Sequence, residues 1–296
     1  MLAPVVLFVY NRPYHTKKVV NALRENILAS ESELFIFSDG PKDETSRVKV
    51  NEVRDFIKSI TGFRDVNLIF RDKNFGLADS IIDGVTSIIN KYGKVIVLED
   101  DLVTSPYFLL YMNKNLDLYE AESQVASIHA YVYPIDGLNN TFFLKGADCW
   151  GWSTWKRSWD LFETNGKILL NQLKSSKLER EVNFNNSYNF SSMLKDQIEG
   201  KNNSWAVRWY ISAFLNNKLT LYPGKSYVQN IGFDEYGTHF NSYTNVFEVE
   251  MNNTININKI EIEEDLYARI QFEKYFRNIK PNFVSRIKQR LLNLFR

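Results

Sequence analysis

The stretch KVIVLEDDLVTSP, residues 94–106, sets four apolar β-formers, Val95, Ile96, Val97 and Leu98, directly against three acids, Glu99, Asp100 and Asp101. An apolar run without alternation predicts a strand buried on both faces, as in a parallel sheet. Ligands of open α/β sheets bind beyond the carboxyl ends of such strands, which is where the acids stand. Adjacent carboxylates repel one another, and a divalent cation bridging a phosphate-bearing ligand is their natural neutraliser. Ser105-Pro106 reads as an N-cap followed by proline at the first helical position, so a helix over 105–120 is expected at once, with the acids on a short strand-to-helix connection. The bland alternative is a solvated turn.

Working outward, the preceding chain repeats a strand-helix rhythm. Apolar runs at 5–10, 34–37 and 66–70 predict strands. Helical patterns follow through Val19, Val20, Leu23 and Ile27, then Val50, Val53, Ile57 and Ile60, then from Leu77 to Ile89. Strands alternating with helices make a parallel sheet with right-handed crossovers, so four strand ends share one edge. That edge gathers Asn11, Arg12, Asp39, Gly40, Asn74, Gly76 and the acid triplet. Together they suggest a nucleotide pocket: Arg12 for phosphate, Asp39 for ribose or base edges, the acids for a metal. Singly, Arg12 reads as a surface ion pair and Asp39 as a turn former. No Gly-x-Gly-x-x-Gly follows the first strand and no P-loop occurs, so those nucleotide-binding motifs lose their support.

Beyond residue 121 the character changes. A strand is expected near 125–128, followed by HAYVYP and GADCWGWSTWKRSW. Trp152, Trp155 and Trp159 have i, i+3, i+7 spacing, which predicts a helix with a core-facing stripe. Trp150, in a glycine-flanked loop beside Asp148, is the better candidate for stacking on a sugar or base. Residues 165–203, rich in Asn and Lys, suggest short helices and loops. A helix opens at Ser204-Trp205, short strands are expected at 219–222 and 226–231, and a glycine-punctuated loop carries Asp234 and His239. Residues 246–262 read as extended chain, with helices at 265–277 and, basic and amphipathic, at 282–295.

With 296 residues and ordinary apolar and charged fractions, the chain suits one large α/β domain with an appendage. A single cysteine, Cys149, excludes an internal disulfide and suits a reducing compartment. No secretory leader or membrane-spanning run is visible, so a cytoplasmic location is expected. Residues 276–296 hold six basic side chains and no acid, leaving −5 on the remainder against +1 overall. That tail suits a phosphate-rich surface, and peripheral contact of 282–296 with the inner face of the cell membrane is an expectation. No nucleic-acid partner is expected.

Here the residues resemble a known class. VLFVYNRP (6–13), FSDGPKDE (37–44), NFGLADSI (74–81), VLEDDLVTSPYFLLYM (97–112), WGWSTWKRSW (150–159), SWAVRWY and LTLYPGKSYVQNIGFDEYGTH (204–239) are similar to GT-A fold bacterial glycosyltransferases encoded among surface-polysaccharide genes. A more distant likeness is to the Golgi N-acetylglucosaminyltransferase that begins complex N-glycans. The resemblance covers about the first four-fifths of the chain. It implies a central, mostly parallel, Rossmann-like sheet flanked by helices, with a catalytic domain over 1–245 and a C-terminal helical extension over 246–296. Within the domain, residues 1–121 would bind the nucleotide sugar and 122–245 the acceptor.

By the same resemblance the acid triplet corresponds to the DXD motif. Asp101 would ligate Mn²⁺ or Mg²⁺ on a nucleotide diphosphate sugar, a UDP-sugar being favoured, and Glu99 and Asp100 would contact ribose or sugar or orient the site. Arg12 and Asp39 match nucleotide-contacting positions, with Asn11 and the stretch 74–80, including Asn74, Gly76 and Asp79, beside them. His239 is the implied late histidine on metal or diphosphate. The expected activity is hexosyl or N-acetylhexosaminyl transfer to a glycan or lipid-linked acceptor, with inversion. One departure concerns the general base: where the Golgi enzyme has a carboxylate beside tryptophan, SWAVRW has Ala206 and Val207. Asp148, Asp196, Glu199 and Asp234 remain candidates. The rivals are a sugar nucleotidyltransferase, which needs a glycine-rich loop absent after the first strand, and a carbohydrate-binding module, which does not explain a buried strand ending in three acids.

Overall fold

The computed structural model describes residues 1–233 and 244–279. Asp234, His239 and the basic segment 282–296 lie outside the described residues. Four parallel strands, β1 (Val5–Val9), β2 (Glu33–Ser38), β3 (Asp65–Phe70) and β4 (Lys94–Glu99), alternate with helices α1 (Pro13–Arg24), α2 (Glu44–Ile57) and α3 (Leu77–Tyr92). After the acids come β5 (Leu102–Thr104), α4 (Phe108–Leu118), β6 (Val125–His129), β7 (Thr141–Lys145), β8 (Trp152–Trp155) and α5 (Lys156–Trp159). Helices α6 (Gly166–Ser175), α7 (Glu179–Val182), α8 (Phe190–Ile198) and α9 (Trp205–Leu215) precede β9 (Leu219–Pro223), β10 (Val228–Asn230) and α10 (Leu266–Ile279). Eight strands form one sheet in the order β3-β2-β1-β4-β8-β6-β9-β7, and β5 pairs with β10 in a two-stranded ribbon.

Strand periodicity places the core. Val5, Leu7, Val9, Leu34, Ile36, Ile96 and Leu98 face one layer with α1, α4 and part of α2. Their neighbours Val6, Phe8, Phe35, Phe37, Val95 and Val97 face the other, against α3. Successive side chains on a strand point to opposite faces, so unbroken apolar runs are what a sheet covered on both sides requires. The mixed half of the sheet follows β4: β8 runs antiparallel to it, with Val97 opposite Trp152. β6 runs antiparallel to β8, with His129 opposite Trp152. A third apolar layer joins α6, α8, α9 and α10 to β7 and β9.

Two expectations are corrected. The helix does not start at Ser105: the acids turn directly into β5, and α4 begins at Phe108. Ser105 instead caps the intervening turn, its Oγ accepting the Tyr107 N–H at 3.1 Å. Trp152 and Trp155 are core residues, as expected, but on a strand. Their odd separation sends Trp155 into the first layer and Trp152, with Trp159, into the second. Pairing with the buried β4 overrides a helical spacing. Ser204 does open α9, accepting the Val207 N–H at 3.2 Å. Residues 248–262 form no regular strand. They pack Val249, Ile255, Ile257, Ile260 and Ile262 on the first layer.

The exposed side of the last strand, β7, is closed by chain rather than left to pair. Asp265 donates its N–H to the Phe143 carbonyl at 2.9 Å, and Glu264 accepts the Lys145 N–H at 3.2 Å. This removes an open sheet edge. A cavity of about 610 Å³ opens there, lined by Asn139, Phe143, Asn256, Glu261 and Glu264 among others. Four strand spacings separate β7 from β4, roughly 19 Å.

Candidate active site

The carboxyl ends of β1, β2 and β4 meet on one edge. Glu99 ends β4, and Asp100 and Asp101 form the turn into β5. All three are half-buried. Arg12, the N-cap residue of α1 just beyond β1, donates from Nη1 to Asp101 Oδ2 at 2.9 Å, with 18% and 21% of the two side chains exposed. The Tyr10 N–H points to Asp100 Oδ2 at 3.3 Å. Burial, and then repulsion from Asp101 and Asp100, pushes Glu99 well above the usual carboxylate range. Asp100 is pushed up to about 7 by burial and Asp101. Asp101 also rises through burial, although Arg12 opposes the rise. The chain thus concentrates negative charge that it neutralises only in part.

The ribbon β5-β10 fixes this turn. Asp101 accepts the Ile231 N–H on its backbone carbonyl at 2.8 Å, and β10 pairs Asn230 with Leu102. Gly232 therefore lies so close that an added Cβ would overlap Asp101 Oδ2. Among the described residues no three His, Cys, Asp or Glu side chains converge as a metal cage. The donor set instead suits Mg²⁺ or Mn²⁺ carried on phosphate, an ion that takes one or two protein carboxylates and draws its other ligands from phosphate and water. A cationic guanidinium already sits where such charge is wanted. The residues fit the ion in that sense.

Asp39, at the end of β2, is buried and saturated. Its Oδ1 accepts the N–H groups of Gly40 and Phe75 at 2.9 and 2.8 Å, and its Oδ2 accepts the Gly76 N–H and Asn74 Nδ2 at 2.9 and 3.0 Å. Asn74 also donates to the Gly40 carbonyl at 2.9 Å. The β3–α3 loop is thereby pulled so tightly onto β2 that a Cβ at Gly40 would lie 2.5 Å from the Lys73 carbonyl carbon. Arg54 reinforces the clasp by donating to the carbonyls of Ser38, Asp39 and Arg71. Nothing in the sequence marked Arg54, since an arginine inside an amphipathic helix reads as solvated. Asn11 follows β1, and Asp79 lies in the first turn of α3, where Arg208 feels its charge.

The second half completes the edge. Because Trp152 pairs with Val97, the loop 148–151 lies beyond the carboxyl end of β4, beside Glu99. The Cys149 thiol between them is pushed well up by burial and by Asp148, Glu99 and Asp101. Trp150 is half-buried and meets Tyr131, Phe233 and Phe247 edge-on, with centroids 4.7 to 5.6 Å away. Asp148 accepts the Cys149 N–H on Oδ1 at 2.8 Å and the Tyr222 hydroxyl on Oδ2 at 3.3 Å. Asp196 and Glu199 stand elsewhere, at the end of α8, both paired with Lys201 near the surface. His129 and Tyr222, brought beside Asp148 by the pairing of β6 with β9, carry no motif in the sequence.

A doubly covered α/β sheet whose parallel strands end in a half-buried acid turn, an arginine and an aromatic-walled loop has the form of a GT-A-like fold. The family model for glycosyl transferase family 2 matches residues 5–169, more than half of the chain, and the chain belongs to that family. Among curated proteins none matches it. It is similar to a mannosyltransferase, PcManGT from Pyrobaculum calidifontis, solved with GDP-Man and Mn²⁺: 14% identity, TM-score 0.34, covering 44% of this chain and 35% of that one. It is also similar to residues 1–349 of S. aureus TarS, with 13% identity and TM-score 0.41, covering 77% of this chain and 60% of that one. The chain thus spans less than two thirds of these structures. Among the described residues, no helix is long and apolar enough to cross a membrane.

Proposed function

We propose that this chain transfers a sugar, with inversion, from a nucleoside diphosphate donor to a hydroxyl of a glycan or lipid-linked acceptor in bacterial surface-polysaccharide synthesis, with a UDP-sugar as the favoured donor and Mn²⁺ or Mg²⁺ required. The observation that carries this reading is the half-buried acid turn at the end of β4, facing Arg12, on the edge where the parallel strands end. Asp101 would hold the ion, with Glu99 and Asp100 beside it on ribose and sugar. When bound, the ion supplies Lewis-acid stabilisation of charge developing on the diphosphate. Arg12 adds a fixed positive charge, and the N-terminus of α3, which no side chain caps, favours phosphate further. Asn11, Asp39, Asn74 and Asp79 shape the nucleotide pocket, and Trp150 walls the sugar. His239 is the remaining candidate for the ion or diphosphate.

Asp148 is the base we favour, because it lies on this edge with part of its carboxylate open to solvent. It takes the acceptor hydroxyl proton as the acceptor oxygen bonds to the anomeric carbon from the side opposite the diphosphate. The old carbon–oxygen bond breaks, and its electron pair leaves with the diphosphate. Asp196 and Asp234 are the competing bases. In a trial with UDP-glucose, UDP-N-acetylglucosamine, UDP-galactose and GDP-mannose plus Mn²⁺, the expected result is release of nucleoside diphosphate that Asp101→Ala abolishes. Pyrophosphate exchange would indicate a nucleotidyltransferase instead, and no release from any donor would leave only carbohydrate binding.

A further inference from the structure

His129 is fully buried at the end of β6, and neither ring nitrogen has a hydrogen-bond partner among the described residues. A buried imidazole left without partners forfeits about 1–3 kcal/mol per unsatisfied group, so its retention asks for a reason. Its Nε2 faces Asp148 Oδ2 at 3.7 Å, just beyond hydrogen-bond distance. The ring lies against Tyr222 at 5.0 Å and 64°. Tyr222 in turn donates to the same Oδ2. Asp148 keeps 33% of its side chain exposed, so one carboxylate has a buried side and an open side.

We infer that His129 is a positioning residue for the proton-accepting Asp148: with Tyr222 it faces Oδ2 from the buried side, leaving an oxygen lone pair on the open side for the incoming hydroxyl. The inference rests on the reading of Asp148 as base and adds to it the device that aims it. Burial holds His129 below the ordinary histidine range, so the ring is neutral and its Nε2–H tautomer is the one a facing carboxylate selects. A donor that is long in the resting state and shortens as the complex forms is a familiar property of catalytic hydrogen bonds. Tyr222 shares the task through its hydroxyl, and the Cys149 N–H holds the other oxygen at 2.8 Å. The backbone sets all of this: His129 pairs with Trp152 across β6 and β8, and Tyr222 follows Leu221, the partner of Ile128.

The test uses the full chain with Mn²⁺ and the four donors named above, water serving as acceptor, and reads nucleoside diphosphate release, UDP or GDP affinity by calorimetry, and Tm. His129→Leu should lower kcat about tenfold or more, a part of the 10²–10⁴ that a general base supplies. It should leave UDP or GDP affinity unchanged and leave Tm unchanged or raised, because a buried polar ring without partners is replaced by an apolar one. His129→Gln, which keeps an N–H donor, should recover much of the loss. A purely structural histidine would instead lower Tm, nucleotide affinity and kcat together in both variants. Wild-type kcat in His129→Leu, or equal loss in Leu and Gln variants, overturns the inference. Asp148→Asn separates the two levels: if it retains wild-type turnover, the base assignment itself fails, whereas an inactive Asp148→Asn with an unimpaired His129→Leu removes only the role of the histidine. A wild-type chain that hydrolyses none of the donors defeats the proposed function first.

Discussion

Asp39→Asn asks whether this carboxylate reads the nucleotide or builds the wall against which the nucleotide lies. The wild-type side chain accepts from Gly40 and Phe75 on one oxygen and from Gly76 and Asn74 on the other. An amide keeps one acceptor oxygen but turns its NH₂ toward two donors, so two hydrogen bonds are lost and donor faces donor. Hydrogen bonds to a charged group contribute about 1.5–3 kcal/mol each. Water can reach the half-buried loop and replace part of this, so the lower end applies and the loss is about 3 kcal/mol. For a chain at or above 250 residues, about 2 °C per kcal/mol gives a Tm drop of roughly 6 °C. The loop of Asn74, Phe75 and Gly76 would loosen as well, so the KM for the donor should rise together with the fall in Tm. Differential scanning calorimetry and donor-hydrolysis kinetics on the same preparations measure both. An unchanged Tm with a raised donor KM would show that Asp39 acts on the nucleotide directly and would refute the clasp, and no change in either would deny it both roles.

Other perturbations probe the acid turn. Gly232→Ala should cut turnover at least tenfold while shifting Tm by less than about 2 °C, because the new methyl displaces Asp101 Oδ2 rather than core packing. Wild-type activity would place Asp101 outside the reacting centre. Asp100 has a folded-state pKa raised from 3.8 to about 7 by burial and by Asp101, so between those values the native state holds a proton that the unfolded chain has released. Its contribution is therefore fully felt above pH 7 as a stability deficit, on the order of 4 kcal/mol, and vanishes below about pH 4. In EDTA, Asp100→Asn should match the wild type in Tm near pH 4 and exceed it at pH 8; equal values at both pH values would contradict the charge crowding. Adding Mn²⁺ with UDP at pH 8 should raise the wild-type Tm more than that of Asp101→Ala, and an equal rise would remove Asp101 from the ion.

The parts of the fold legible in the sequence were those fixed by burial on both faces. Val5 to Val9 and Val95 to Leu98 carry no polar position because helices cover each side, and that local constraint announces parallel strands without any knowledge of their partners. The tryptophan run misled for a related reason. A three-residue separation fits one helix face, and only the distant pairing of Trp152 with Val97 shows that the two side chains serve opposite layers. β5 was invisible because three residues, Leu102–Thr104, have no preference of their own and are made a strand by β10, more than a hundred positions later.

The same division runs through the site. Acids at a strand end could be read from order alone, because charge directly after a buried run must meet either water or a cation. Asp39 looked like a ligand contact by its position, yet its four donors come from its own turn and from the next crossover loop, a relation that only the close approach of Gly40 to Lys73 creates. His129 had no local signature at all. Its meaning depends on a carboxylate nineteen positions on and a tyrosine ninety-three on, brought together by the register of β6, β8 and β9. Acids that gather charge can thus be found one strand at a time, whereas groups that aim a proton acceptor appear only once the mixed half of the sheet is assembled. Under the proposed function the donor would lie at the ends of the parallel strands and the acceptor beside the mixed half of the sheet, so a substitution such as His129→Leu should impair proton removal without touching the nucleotide.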